Sequence, residues 1–118
     1  MEAQILKRGD LWHADLGEPR GSGPAFEHPI LIVQDDNFNA SSIRTVLVVV
    51  LTTNLRLANA PGNVYVTPEK TGLAEDSVIV VSQMVALDRR FLLEYISPLA
   101  PDALAQVDYG LKVILKLM

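Results

Sequence analysis

The chain contains no cysteine among its 118 residues. That excludes disulfides, thiolate nucleophiles and any zinc site built on thiolates. Histidine is scarce as well. His13 and His28 are far apart and show no HxxxH spacing, so neither a structural metal nor another cofactor is expected. No apolar run is long: the longest, Val46 to Leu51, falls far short of the about 20 residues that a membrane helix needs. The first residues, Met1 to Asp10, lack the apolar stretch of a signal peptide, and a soluble cytoplasmic protein is the expectation. Charge of one sign is not concentrated anywhere. Residues 1–60 and residues 61–118 each carry five Lys/Arg against seven Asp/Glu, which gives the net charge of −4. Non-specific binding to duplex DNA through bulk charge is therefore disfavoured, although a local basic patch stays open.

What is present fits one domain spanning residues 1–118. Hydrophobic residues make up 49% and charged residues 20%, enough apolar surface to build a core and argue against disorder. The chain is organised around Gly17 to Pro29, which holds three Gly and three Pro within thirteen positions. Hairpin loops usually take about two to five residues, so a loop of this length suggests a functional segment. It carries Arg20, Ser22, Glu27 and His28, and the reading is a loop forming one wall of a binding site.

The flanking runs read as strands. Leu11 to Leu16 alternates, with Trp12, Ala14 and Leu16 inward and Leu11, His13 and Asp15 on the other face. Pro29 suits a strand's first position, and Ile30 to Gln34 follows. Asp35 to Ser42 is turn-like, with room for one helical turn. Arg44 to Leu51 is continuous and β-branched, as in a strand buried on both sides, and it ends in Thr52-Thr53-Asn54. A loop to Asn63, a short strand Val64 to Val66 and a strand Ser77 to Met84 come next. Asp88 caps a short helix to Leu93, and Leu93 to Ile96 reads as a last edge strand. From Pro101 the period changes: Leu104, Val107, Leu111, Ile114 and Leu115 form the stripe of an amphipathic helix. The expected fold is mainly β, five or six short antiparallel strands in a small, partly open barrel, with a C-terminal helix.

An ordered set of short motifs resembles the MazF/PemK family of toxin endoribonucleases. It runs Arg8-Gly9-Asp10-Leu11-Trp12, Pro19-Arg20-Gly21-Ser22, Asn37-Phe38-Asn39, Leu51-Thr52-Thr53-Asn54-Leu55, Ala60-Pro61-Gly62-Asn63-Val64, Thr71-Gly72-Leu73, Ser82-Gln83 and Gln106-Val107-Asp108. The resemblance implies an SH3-like barrel of the CcdB/MazF/Kid type, a homodimer, and metal-independent cutting of single-stranded RNA through its own 2′-OH. It also implies an antitoxin partner whose flexible tail lies in the RNA groove and at the dimer interface. The family places an Arg just before the residue corresponding to Pro29 and a Thr at the position of Thr52. Here Thr52 is retained and His28 stands in place of the Arg.

Such chemistry needs a group to take the 2′-OH proton and a group to stabilise phosphorane charge. Thr52, His28 and Arg20 are the candidate catalytic residues. An imidazole, with an ordinary pKa near 6.5, can act as acid or base, and a guanidinium matches phosphate oxygens. Ser22, Arg8, Gln83, Arg56 and Phe26 are the candidate RNA contacts, with Phe26 read rather more as a loop anchor than as a base-stacking ring. Two other classes stay open: a weakened or inactive member that binds antitoxin or RNA, and a gyrase inhibitor of the CcdB type. The second lacks support from the C-terminus, which ends Leu115-Lys116-Leu117-Met118 without a Trp.

Overall fold

The computed structural model describes residues 5–18, 21 and 26–118. Six strands, β1 (Asp10–Asp15), β2 (Glu27–Ile32), β3 (Thr45–Thr52), β4 (Val64–Val66), β5 (Ser77–Asp88) and β6 (Leu92–Pro98), form one curled antiparallel sheet. Their order is β4-β5-β3-β2-β1-β6. One helical turn, α1 (Asp36–Asn39), follows β2, and another, α2 (Pro68–Thr71), follows β4. The long helix α3 (Pro101–Leu115) ends the fold.

Alternation along the strands sends apolar side chains to two cores. Leu31, Val49 and Leu51 pack beneath α3, against Val107 and Leu111. Ile30, Ile32, Val48 and Val50 line the opposite, curled-in face with Trp12 and Ala14. Residues of this kind each contribute roughly 1.5–3 kcal/mol on full burial. The continuous run in β3 follows from this: Val46, Val48, Val49, Val50 and Leu51 are buried because both faces are covered.

Several sequence expectations are corrected by the pairing. The alternation sets Leu11 with His13 and Asp15 on the face away from Trp12, yet Leu11 is fully buried, because α3 covers that face as well. The strand expected over Ser77 to Met84 continues to Asp88, pairing with β3 as far as Thr45. The short helix at Asp88 is a 3-10 turn, Arg89–Phe91; Asp88 does cap it, accepting from the Arg90 N–H at 3.0 Å. The α3 stripe rotates. Ala103, Val107, Gly110 and Leu111 are buried, while Ile114 and Leu115 are exposed. Gly110 sits in that stripe because the helix backbone meets the turn at Gly62, leaving no room for a Cβ.

Two further features shape the sheet and tie down its edge. Between Val50↔Val80 and Val49↔Met84 the strand β5 carries Val81, Ser82 and Gln83 with no residue opposite, a bulge that bends it. Asn63 ties the bulge down, its Oδ1 accepting from the Val81 N–H at 3.1 Å. Before β1, Arg8 donates to Asp108 on α3 at 2.7 Å and, through Nε, to the Val33 carbonyl at 3.0 Å. No helix is long and apolar enough to cross a membrane among the described residues.

Candidate active site

The long segment after β1 is shorter than the sequence suggests. Strand pairing reaches Ala14↔His28 and Asp15↔Glu27, so β2 begins at Glu27 and Pro29 is its third residue. His28 is thus a strand residue, not a loop residue. Pro29 is accommodated because the β2–β3 register starts one residue later, at Ile30↔Val50. Beyond Asp15 the Leu16 N–H donates to the Phe26 carbonyl at 2.8 Å, and the Phe26 N–H donates back to the Gly17 carbonyl at 2.5 Å.

The β2–β3 ladder ends at Ile30↔Val50, and His28 and Thr52 each lie two residues beyond that pair, at the same end of the two strands. Neighbouring strands lie about 4.8 Å apart, and His28 and Thr52 share the alternation of Ile30 and Val50, which face the curled-in core. His28 and Thr52 are both half-buried. The His28 Nδ1 lies 3.3 Å from the Leu51 carbonyl oxygen. A carbonyl can only accept, so Nδ1 is the donor in this contact, which leaves Nε2 as the ring nitrogen that could exchange a proton with a substrate. The Thr52 Oγ1 accepts from the Asn54 N–H at 3.1 Å, which leaves its own O–H free to donate. Asn54 in turn caps the 3-10 turn Leu55–Asn59, accepting from the Arg56 N–H at 3.3 Å. Thr52 therefore stands at the rigid end of a buried strand, held by the turn that follows it.

The other candidates divide by position. Arg56 follows Thr52 at the same end of the sheet and is exposed. Gln83 lies in the β5 bulge, toward the middle of the sheet, and is half-buried. Arg8 is at the opposite end, before β1, with its guanidinium engaged by Asp108 and Val33. Phe26 is not a loop anchor: its side chain packs in neither core and the residue is 64% exposed. Its backbone is bound to the end of β1, which is what leaves the ring outside. Arg20 and Ser22 lie outside the described residues. His13 faces away from His28, on a shallow hollow of about 350 Å³ with Glu27, Pro29 and Glu94. Among the described residues no three His, Asp or Glu side chains cluster as metal ligands would. Reasoning from sequence missed the Leu51 carbonyl, which carries no side-chain signal. It also missed the Asn54 cap, although Asn before a short helix was a signal within reach.

Comparison with known proteins bears on this geometry. A family model described as PemK-like, MazF-like toxin of type II toxin-antitoxin system matches residues 7–115. This chain belongs to the PemK/MazF-like toxin family. Endoribonuclease MazF6 of Mycobacterium tuberculosis is 38% identical over 113 residues, covering 96% of this chain and 99% of its own. Endoribonuclease MazF2 of Mycobacterium bovis matches equally. Solved structures share the fold at lower identity. A mycobacterial endoribonuclease in complex with its cognate antitoxin superposes with a TM-score of 0.80, at 24% identity, covering 96% and 97% of the two chains. MazF from Deinococcus radiodurans gives 0.79 at 18% identity, covering 97% and 99%. The MazF-type sheet with its C-terminal helix is thus the fold expected from the motifs, and the family expectation stands with it.

Proposed function

We propose that the chain is the toxin of a type II toxin–antitoxin pair and cuts single-stranded RNA without a metal. What supports this reading is that His28 and Thr52 stand at the same end of the sheet, the His28 Nδ1 3.3 Å from the carbonyl oxygen of Leu51, the residue before Thr52, and the Thr52 Oγ1 accepting from the Asn54 N–H. The endoribonucleases that align along nearly the whole chain support it.

In this reading the substrate's 2′-oxygen attacks the adjacent phosphorus while Nε2 of His28 takes its proton. The bond from phosphorus to the 5′-oxygen breaks, and that oxygen leaves protonated by solvent. The products are a 2′,3′-cyclic phosphate and a free 5′-hydroxyl. The Thr52 hydroxyl donates to a non-bridging oxygen and fixes the phosphate beside the imidazole. Arg20 supplies the positive charge that the family's Arg would bring, and Ser22 adds a second phosphate contact. Arg56 and Gln83 border the path of the RNA.

Two copies of the chain work together in the cytoplasm, and an antitoxin occupies the RNA path when the toxin is held inactive. The structure of a mycobacterial relative with its cognate antitoxin supports that part of the reading. A second reading, a member that binds RNA or antitoxin without cutting, is favoured by the substitution of His28 for the family's Arg. Incubating the purified chain with a mixed single-stranded RNA in EDTA separates the two. The proposed function requires cleavage that leaves cyclic-phosphate ends. Bound but intact RNA establishes the second reading instead.

A further inference from the structure

Phe26 combines three properties that the fold itself does not use. Its residue is 64% exposed and joins neither hydrophobic core. Its backbone is left-handed, with φ at +57°, a region that a bulky side chain disfavours and glycine adopts freely. Yet that backbone is held in place from both sides, by the Leu16 N–H and the Gly17 carbonyl. A glycine would make both hydrogen bonds without the strain. Among the described residues the ring thus adds nothing to the hairpin that a smaller residue would not.

Its place in the sheet is specific. Phe26 lies two residues before His28, at the end of the sheet where Thr52 terminates β3. At about 3.3 Å per strand residue, the Cα atoms of Phe26 and His28 are no more than roughly 7 Å apart. Phe38, the other exposed Phe, lies on α1 beyond the far end of β2. An exposed aromatic ring on a hydrogen-bonded backbone beside a phosphodiester site offers a flat π-face with only two side-chain torsions to fix. Unpaired bases of single-stranded RNA are held by such faces.

We propose that Phe26 is a stacking platform for the unpaired base next to the phosphodiester held at His28 and Thr52. This rests on the reading of that pair as an RNA-cutting site. Stacking uses the base's face and not its edge, so Phe26 adds affinity without selecting the base. The strained backbone serves to hold the ring outward before RNA arrives.

The test is steady-state cleavage of a mixed-sequence single-stranded RNA by the parent, Phe26→Ala, Phe26→Trp and Phe26→Gly, alongside their thermal melting. Phe26→Ala raises KM by about five- to a hundredfold, the range for losing one stacked base, with kcat little changed. Phe26→Trp keeps the parent KM, and its added indole emission is quenched when RNA binds. Phe26→Gly melts no lower than the parent yet shows the raised KM, which a structural role for the ring would not produce. If the parent cuts RNA and Phe26→Ala cuts with the same KM, the platform is overturned while the ribonuclease reading stands. If the parent neither binds nor cuts RNA, that reading fails and the platform fails with it. If Phe26→Ala changes the sedimenting mass and leaves KM alone, the ring belongs to a contact between copies and the proposal is overturned.

Discussion

A Cβ placed on Gly110 would lie 2.1 Å from the main-chain oxygen of Gly62. The helix α3 and the turn before β4 thus meet backbone to backbone, and this contact sets how closely the helix covers the first core. Gly62 is also required for its own conformation, with φ at +87°.

Gly110→Ala is expected to destabilise the fold by about 1–3 kcal/mol, because the displaced atom is backbone and cannot rotate away. Alanine's better helix propensity, worth about 1 kcal/mol, offsets only part of that. Chemical denaturation measures it directly. An unchanged or higher midpoint would mean that α3 sits further from Gly62 than described.

Arg8 is expected to matter for stability and not for cutting. Its ties to Asp108 and Val33 join the first turn to the last helix. Hydrogen bonds to charged groups contribute about 1.5–3 kcal/mol, less where water reaches the pair, so Arg8→Ala should cost about 1–2 kcal/mol. At a temperature where both proteins are folded, the RNA cleavage rate of Arg8→Ala should match the parent. A fall in KM-normalised rate with unchanged stability would return Arg8 to the RNA path.

Asp10 makes a pH prediction. Burial pushes its carboxyl above the ordinary carboxylate range, with a hydrogen bond from the Lys7 main chain offsetting part of the shift. A carboxyl raised in the folded state is favoured protonated. Its contribution is most favourable below the unfolded value of 3.8 and is lost as pH rises through the folded one. Asp10→Asn should therefore be more stable than the parent at neutral pH. The difference should grow between pH 3 and pH 7 in denaturation curves, and a difference that shrinks with pH would contradict the assignment.

His28 and Thr52 make the sharpest prediction for activity. His28→Ala and Thr52→Ala should each lower RNA cleavage by roughly a hundredfold, near the low end of acid–base contributions. Thr52→Ser should retain most of the rate, since it keeps the hydroxyl. His28→Arg separates two chemistries: a faster enzyme shows that the site still suits a guanidinium, and a slower one that it has been reshaped around the imidazole. Cleavage by His28→Ala at the parent rate would remove the imidazole from the reaction.

Much of this molecule was legible in local patterns. The β-branched run to Leu51 specified a buried strand, Pro101 with Asp102 marked the start of α3, and Asp88 announced the turn that it caps. These depend on periodicity and on side chains that bond their own backbone a few residues away. Where Thr52 ends its strand was readable for the same reason.

Other features depended on which distant segments met. The β1–β2 hairpin zips to Glu27, so His28 became a strand residue rather than part of a loop. The carbonyl that orients its ring lies 23 residues on, and the carboxylate that engages Arg8 lies 100 residues on. Leu11 is buried and Gly110 is indispensable only because α3 folds back over that face and against Gly62. Side-chain alternation states which faces want covering. It is the long-range packing, chosen by how the whole chain buries its apolar surface, that decides what covers them.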